Sequence, residues 1–62
     1  MTRAAIEALK HLGLGWDPNM PGPIADSRFN IYEAPDGTRY AILISEPKWR
    51  SLNTEPWKEF DP

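Results

Sequence analysis

Residues 28–44 of the 62-residue chain read RFNIYEAPDGTRYAILI, and this stretch carries the strongest structural signal in the sequence. Two runs rich in aromatic and β-branched residues, 28–33 and 39–44, flank a short polar turn. Proline suits the first central position of such a turn, aspartate suits the second, and Gly37 can adopt a positive φ. We therefore predict a β-hairpin with a three-residue loop and a bulge at Gly37.

The loop length sets the register of the hairpin. The predicted pairs, from the turn outward, are Ala34–Thr38, Glu33–Arg39, Tyr32–Tyr40, Ile31–Ala41, Asn30–Ile42 and Phe29–Leu43. Opposite residues share a face of the sheet. The phenylalanine face carries Phe29, Ile31, Ala41 and Leu43, and a Glu33–Arg39 ion pair closes it at the turn. The tyrosine face carries Tyr32, Tyr40, Ile42 and Ile44, with Arg28 and Asn30. Both faces are largely apolar, whereas a solvated face would be polar.

The N-terminal segment predicts a helix over residues 3–12. Thr2 is its expected N-cap, and apolar residues recur at helical spacing along one stripe. These residues are Ala5, Ile6, Leu9 and Leu12. Gly13 follows as a helix stop in the left-handed conformation.

The remaining segments are expected to be irregular. Residues 13–27 are rich in proline and glycine but also carry apolar side chains, so we predict an ordered loop packed over the core. The tail spans residues 46–62, and two segments, at its start and within it, read Ser-Glu-Pro at 45–47 and Thr-Glu-Pro at 54–56. Each is typical of a cap that opens a helical turn. The two turns would present Trp49 with Leu52 and Trp57 with Phe60.

These elements predict a single α+β domain, residues 1–62, in which an N-terminal helix packs on a two-stranded antiparallel hairpin. The hairpin spans residues 28–45, and a tail with short helical turns wraps its other side. One ten-residue helix can cover one face of a hairpin but not both, and a lone hairpin is marginally stable. The second apolar face must then be covered by the tail, by another copy of the chain or by a target.

Composition narrows the class of protein. The chain has no cysteine, which excludes a disulfide framework and a cysteine-ligated zinc site. No apolar run approaches the roughly 20 residues that span a bilayer. The formal net charge is −2 and the sequence shows no basic cluster, which disfavours nucleic acid as a partner. We expect a soluble cytoplasmic protein with no membrane association.

No residue pattern points to catalysis. His11 is the only histidine, and we expect it at a helix end or on the surface. The serines lack a nucleophile motif, and the acidic residues lack calcium-loop or paired-carboxylate spacing. We therefore assign no catalytic residue, no metal ligand and no cofactor.

The aromatic residues point to protein binding instead, because tryptophan, tyrosine and arginine dominate interface hot spots. We expect a small non-catalytic inhibitor or adaptor that blocks the surface of a partner protein. A phage-type protein directed against host or defence enzymes would act in this way. A homodimer is one form that the protein could take. The expected partner-binding residues are Tyr32, Tyr40, Ile42, Ile44, Trp49, Arg50 and Trp57. Two other functions stay open: sequestration of a nucleotide-like anion, and a structural role in a larger assembly. The anion would be bound by Arg28, Tyr32, Tyr40, Trp49 and Arg50.

Overall fold

The computed structural model describes residues 1–16, 28–52 and 56–62. In these residues it contains one short helix and five strands: α1 (Arg3–Glu7), β1 (Lys10–Trp16), β2 (Arg28–Glu33), β3 (Arg39–Leu43), β4 (Lys48–Ser51) and β5 (Lys58–Glu59). The strands form one sheet in the order β1-β2-β3-β4-β5, and each pairs antiparallel with its neighbour in sequence. The fold is therefore an antiparallel meander, with β1 and β5 at its edges.

The central hairpin has the predicted register, which runs from Phe29 opposite Leu43 to Glu33 opposite Arg39. At the turn, the Ala34 N–H donates to the Thr38 carbonyl at 2.8 Å, and Gly37 has a φ of +89°. The Glu33–Arg39 ion pair forms with an N···O distance of 3.1 Å. The turn residues were sufficient to predict this register, because the length of a three-residue loop determines which residues of the two strands pair.

The predicted α+β architecture is wrong, since the molecule is mostly antiparallel sheet. Thr2 does cap the helix, where its hydroxyl accepts from the Ala5 N–H at 3.2 Å, but the helix ends at Glu7 rather than at residue 12. Residues 10–16 instead form β1 and pair with β2. A ten-residue helix is marginal on its own, and β2 offers backbone groups that an added strand can pair.

Gly13 has a different role from the predicted helix stop. It lies in β1, opposite Ile31, just after a β-bulge between His11 and Gly13, and its φ is +125°. Of the predicted loop, residues 13–16 belong to this strand, and residues 17–27 lie outside the described residues.

The tail is also extended rather than helical. The predicted first turn is replaced by β4, which pairs with β3, and β5 then pairs with β4. Residues three apart share an edge of a helix but lie on opposite faces of a strand. Trp49 accordingly packs on the tyrosine face and Leu52 on the phenylalanine face. Phe60 and Trp57 are divided between the two faces in the same way. Of the second predicted cap, Thr54 and Glu55 lie outside the described residues.

Each face of the sheet has its own hydrophobic cluster. On the tyrosine face the cluster consists of Ile6, Ile42 and Trp49, with Tyr32, Tyr40 and Phe60 packed against it. On the phenylalanine face it consists of Phe29, Ala41 and Leu43, with Ile31, Leu52 and Trp57 packed against it. The helix thus covers one face only, and in the described part of the chain the tail completes both.

Candidate functional site

Four of the predicted partner-binding residues come together on the tyrosine face, but the protein's own side chains cover most of them. Ile42 and Trp49 are buried beside Ile6 of the helix. The Lys58 ammonium nitrogen lies 5.1 Å from the centroid of the Trp49 ring. Tyr40 contacts the same indole, with ring centroids 6.0 Å apart, and is half-buried like Tyr32. These residues already have intramolecular neighbours on the side where a partner was expected.

Two further predicted residues meet on the opposite face. The guanidinium carbon of Arg50 lies 4.8 Å from the centroid of the Trp57 ring, a cation–π arrangement. The Trp57 ring packs in turn on Phe29, with centroids 5.9 Å apart. Arg50 and Trp57 therefore form part of the cover of the phenylalanine face.

Ile44 differs from the other six partner-binding residues because 49% of its surface is exposed. It follows β3 directly, and its N–H donates to the Arg28 carbonyl at 3.1 Å, so it lies beside Arg28. Both residues are exposed. Ile44 is thus the predicted partner-binding residue that the structure leaves most accessible.

The five residues predicted for the alternative anion site do not converge. Arg28, Tyr32 and Tyr40 project from the tyrosine face, whereas Arg50 belongs to the opposite face. A depression beside Glu33 and Lys10 has a volume of about 280 Å³, but none of the five predicted residues lines it. Small-molecule sites are usually clefts or cavities of about 300–1,000 Å³ that bury most of the ligand. In the described part of the chain the geometry therefore gives little support to nucleotide sequestration.

Sequence reasoning missed the most exposed large apolar residue of the described chain, Leu14, which is 68% exposed. It lies on β1, opposite Asn30 of the tyrosine face, and Leu12 on the same strand is 39% exposed. The alternation Leu12-Gly13-Leu14-Gly15-Trp16 could have revealed the strand, because its apolar residues recur with period two. The prediction of a helix stop at Gly13 concealed that pattern.

The backbone N–H and C=O groups of Leu14 point away from β2, toward the edge of the sheet. In an antiparallel pair, successive residues direct their N–H and C=O groups alternately toward and away from a given neighbour. Because the Arg28 carbonyl accepts from Ile44 on the β3 side, Arg28 and Asn30 direct these groups toward β3. The residue paired with Asn30 is Leu14, so its groups point to the outer side of β1. We call this outer side of Lys10–Trp16 the open edge, since no described strand pairs with it.

The open edge has a positive end. Lys10 is exposed, and it forms no ion pair with another described residue. Across the sheet it pairs with Glu33, whose carboxylate is bound by Arg39. His11 follows, with its Nε2 3.0 Å from the Asn30 Oδ1 and its ring centroid 5.1 Å from that of Tyr32.

The described residues contain no group of three side chains that could hold a metal ion. Among the same residues, no helix is long and apolar enough to cross a bilayer. Comparison of the chain with protein-family models, curated proteins and solved structures finds no match of any of the three kinds.

Proposed function

We propose that the protein is a non-catalytic protein-binding module that occupies a surface of its partner, as an inhibitor or adaptor does. Its binding site is the open edge with Leu14, and Ile44 lies on the same tyrosine face. The observation that carries this proposal is the exposure of Leu14 on a strand whose outer side has no described neighbour.

Exposed apolar side chains near an unpaired strand edge are a known liability in proteins that act alone. An edge strand attracts other chains, and most proteins blunt it with charges, prolines or very short strands. At the other edge, β5 is only two residues long and both are charged. β1 has seven residues, and within this strand only Lys10 at its N-terminal end carries a formal charge. This asymmetry favours β1 as the side that meets a partner.

The hydrophobic clusters of the tyrosine face and the phenylalanine face stabilise the sheet to which this site belongs. Ile42, Trp49 and Phe29 are at least nine-tenths buried, so they stabilise the sheet that holds β1 in place. A rigid sheet lowers the entropy that binding would otherwise cost. In this proposal the aromatic residues position the site and Leu14 contacts the partner.

Photo-crosslinking tests the proposal. A photoreactive leucine analogue at position 14 should capture one host protein at a 1:1 ratio. The purified partner should then bind a Leu14→Asp variant at least tenfold more weakly than the wild type. A matched Ala4→Asp variant adds the same charge on the exposed side of the helix and should bind normally. Equal affinity of the Leu14→Asp variant and the wild type would contradict the proposal, and crosslinks formed only between copies of the chain would indicate a structural subunit instead.

A further inference from the structure

We infer that the open edge accepts an extended apolar segment of another polypeptide as a sixth, antiparallel strand, with acidic residues at the C-terminal end of that segment. This inference rests on the proposed function, which places the partner at the same edge. It adds the mode of recognition, the direction of the bound segment and its charge.

Backbone geometry is the first argument. Leu14 and Trp16 pair with Asn30 and Arg28, whose backbone groups face β3. The N–H and C=O groups of both β1 residues therefore point outward, two residues apart. That is the spacing with which an edge strand bonds an added strand, and antiparallel pairing is the more stable of the two arrangements per residue. From Gly13 to Trp16 the pairing with β2 is regular, because the β-bulge lies before Gly13.

The size of the surface decides between a second copy and an extended segment. The exposed parts of Leu12, Leu14 and Ile44 offer apolar surface on the order of 300 Å², whereas each partner in a stable specific interface buries roughly 800 Å², of which about 450 Å² is apolar. Two copies that met through these side chains alone would form a weak dimer. Strand addition needs less area, because main-chain hydrogen bonds supply affinity and alternate side chains supply specificity.

The charge of β1 determines which end of an antiparallel segment is acidic. The only formal charge on β1 is Lys10 at its N-terminal end, and its row across the sheet, Lys10–Glu33–Arg39, has two cations and one anion. The C-terminal end of an antiparallel segment would lie beside Lys10. Acidic residues there would be attracted to this end, and basic residues would be repelled.

Synthetic peptides provide the test. Three capped peptides share a core of alternating valine and threonine: one ends in two C-terminal glutamates, one begins with two N-terminal glutamates, and one ends in two lysines. Titrated into the ¹⁵N-labelled full chain, the first should shift the amide signals of β1 and bind at least fivefold more tightly than the other two at low salt. Equal affinities would overturn the charge argument, and shifts that exclude β1 would overturn strand addition.

Two variants at one position separate backbone from side-chain recognition. Leu14→Pro removes an outward N–H that β2 does not use, and edge strands tolerate proline at such positions. It should weaken peptide binding more than tenfold, whereas Leu14→Ala should weaken it about twofold to threefold. If Leu14→Pro does not fold, a chemically synthesised chain with an ester in place of the residue 14 amide removes the same donor, and the same loss is expected.

The outcomes distinguish this inference from the proposed function. Normal peptide binding by the proline or ester variant overturns strand addition. If these variants also bind the crosslinked partner normally while Leu14→Asp does not, the partner uses the Leu14 side chain, and the proposed function stands alone. If Leu14→Asp leaves partner binding unchanged, both fail.

Discussion

The ring of Phe29 lies over the backbone of Gly15 on the neighbouring strand. The two residues are paired in the register of β1 and β2, and a Cβ atom added to Gly15 would lie 2.8 Å from the Cζ atom of Phe29. Phe29 is buried and also packs on Trp57. Glycine is therefore required here by the space that an aromatic neighbour occupies. The contact joins the edge strand to the cluster of the phenylalanine face.

Gly15→Ala is expected to lower the free energy of unfolding by about 1–3 kcal/mol, the usual cost of extra volume in a packed site. The Phe29 ring is held between two strands and Trp57, so it cannot move away freely. Urea denaturation measures the change, and Leu14→Ala on the same strand is the control, since its exposed side chain should alter stability by less than about 0.5 kcal/mol. A Gly15→Ala variant as stable as the wild type would show that Phe29 does not cover this backbone.

Gly37→Val is expected to destabilise the hairpin. Gly37 has a φ of +89° and open space around the position of a Cβ atom, so the cost comes from backbone conformation rather than from a clash. A β-branched residue with positive φ costs on the order of 1–3 kcal/mol, whereas asparagine tolerates this region better. Thermal unfolding of Gly37→Val and Gly37→Asn measures the difference. Equal melting temperatures for the two variants would argue against a positive φ at this position.

Trp49→Ala is expected to act on folding. The residue is 7% exposed and packs with Ile6 and Ile42, so truncation should cost about 3–5 kcal/mol, much of the stability of a small domain. The indole Nε1 is buried and has no hydrogen-bond acceptor among the described residues. Trp49→Phe removes this donor and retains an aromatic ring, so it should cost less than half as much. Circular dichroism during urea titration compares the two variants, and a fully folded Trp49→Ala variant would contradict the assignment of Trp49 to the core.

Asp36 should make the stability of the turn depend on pH. The Thr38 backbone N–H donates to the Asp36 Oδ1 at 2.9 Å, and this bond, followed by one to the Thr38 side chain, lowers the pKa of the Asp36 carboxyl below its ordinary value. A lowered pKa in the folded state stabilises the protein at neutral pH, and that contribution is lost as the pH falls through the lowered pKa. The wild type should therefore melt above Asp36→Asn at pH 7, and the two should converge on the acid side of about pH 4. An equal difference at pH 7 and pH 2.5 would contradict the prediction.

The residues of the candidate site differ in whether the sequence alone could identify them. Ile44 could be predicted from its alternation with Ile42 and Tyr40, since that pattern places it on an apolar face. Leu14 could not be identified as a site residue, because its role depends on which strand lies beside it. Trp49 and Trp57 are of a residue type that is enriched in interfaces, yet they pack on opposite faces of their own sheet.

Local chemistry determined the hairpin. The turn residues 35–37 and the alternation on either side of them set the register from Phe29 to Leu43, because a short loop constrains only the residues next to it. Tertiary structure decided the conformation of Lys10–Trp16 and of the tail. Their sequences are compatible with a helix stop and helical turns, but the edges of the hairpin offered unpaired backbone groups and two apolar faces. Pairing there satisfies hydrogen bonds and buries apolar surface at once, and that combined gain outweighs a weak local preference for helix.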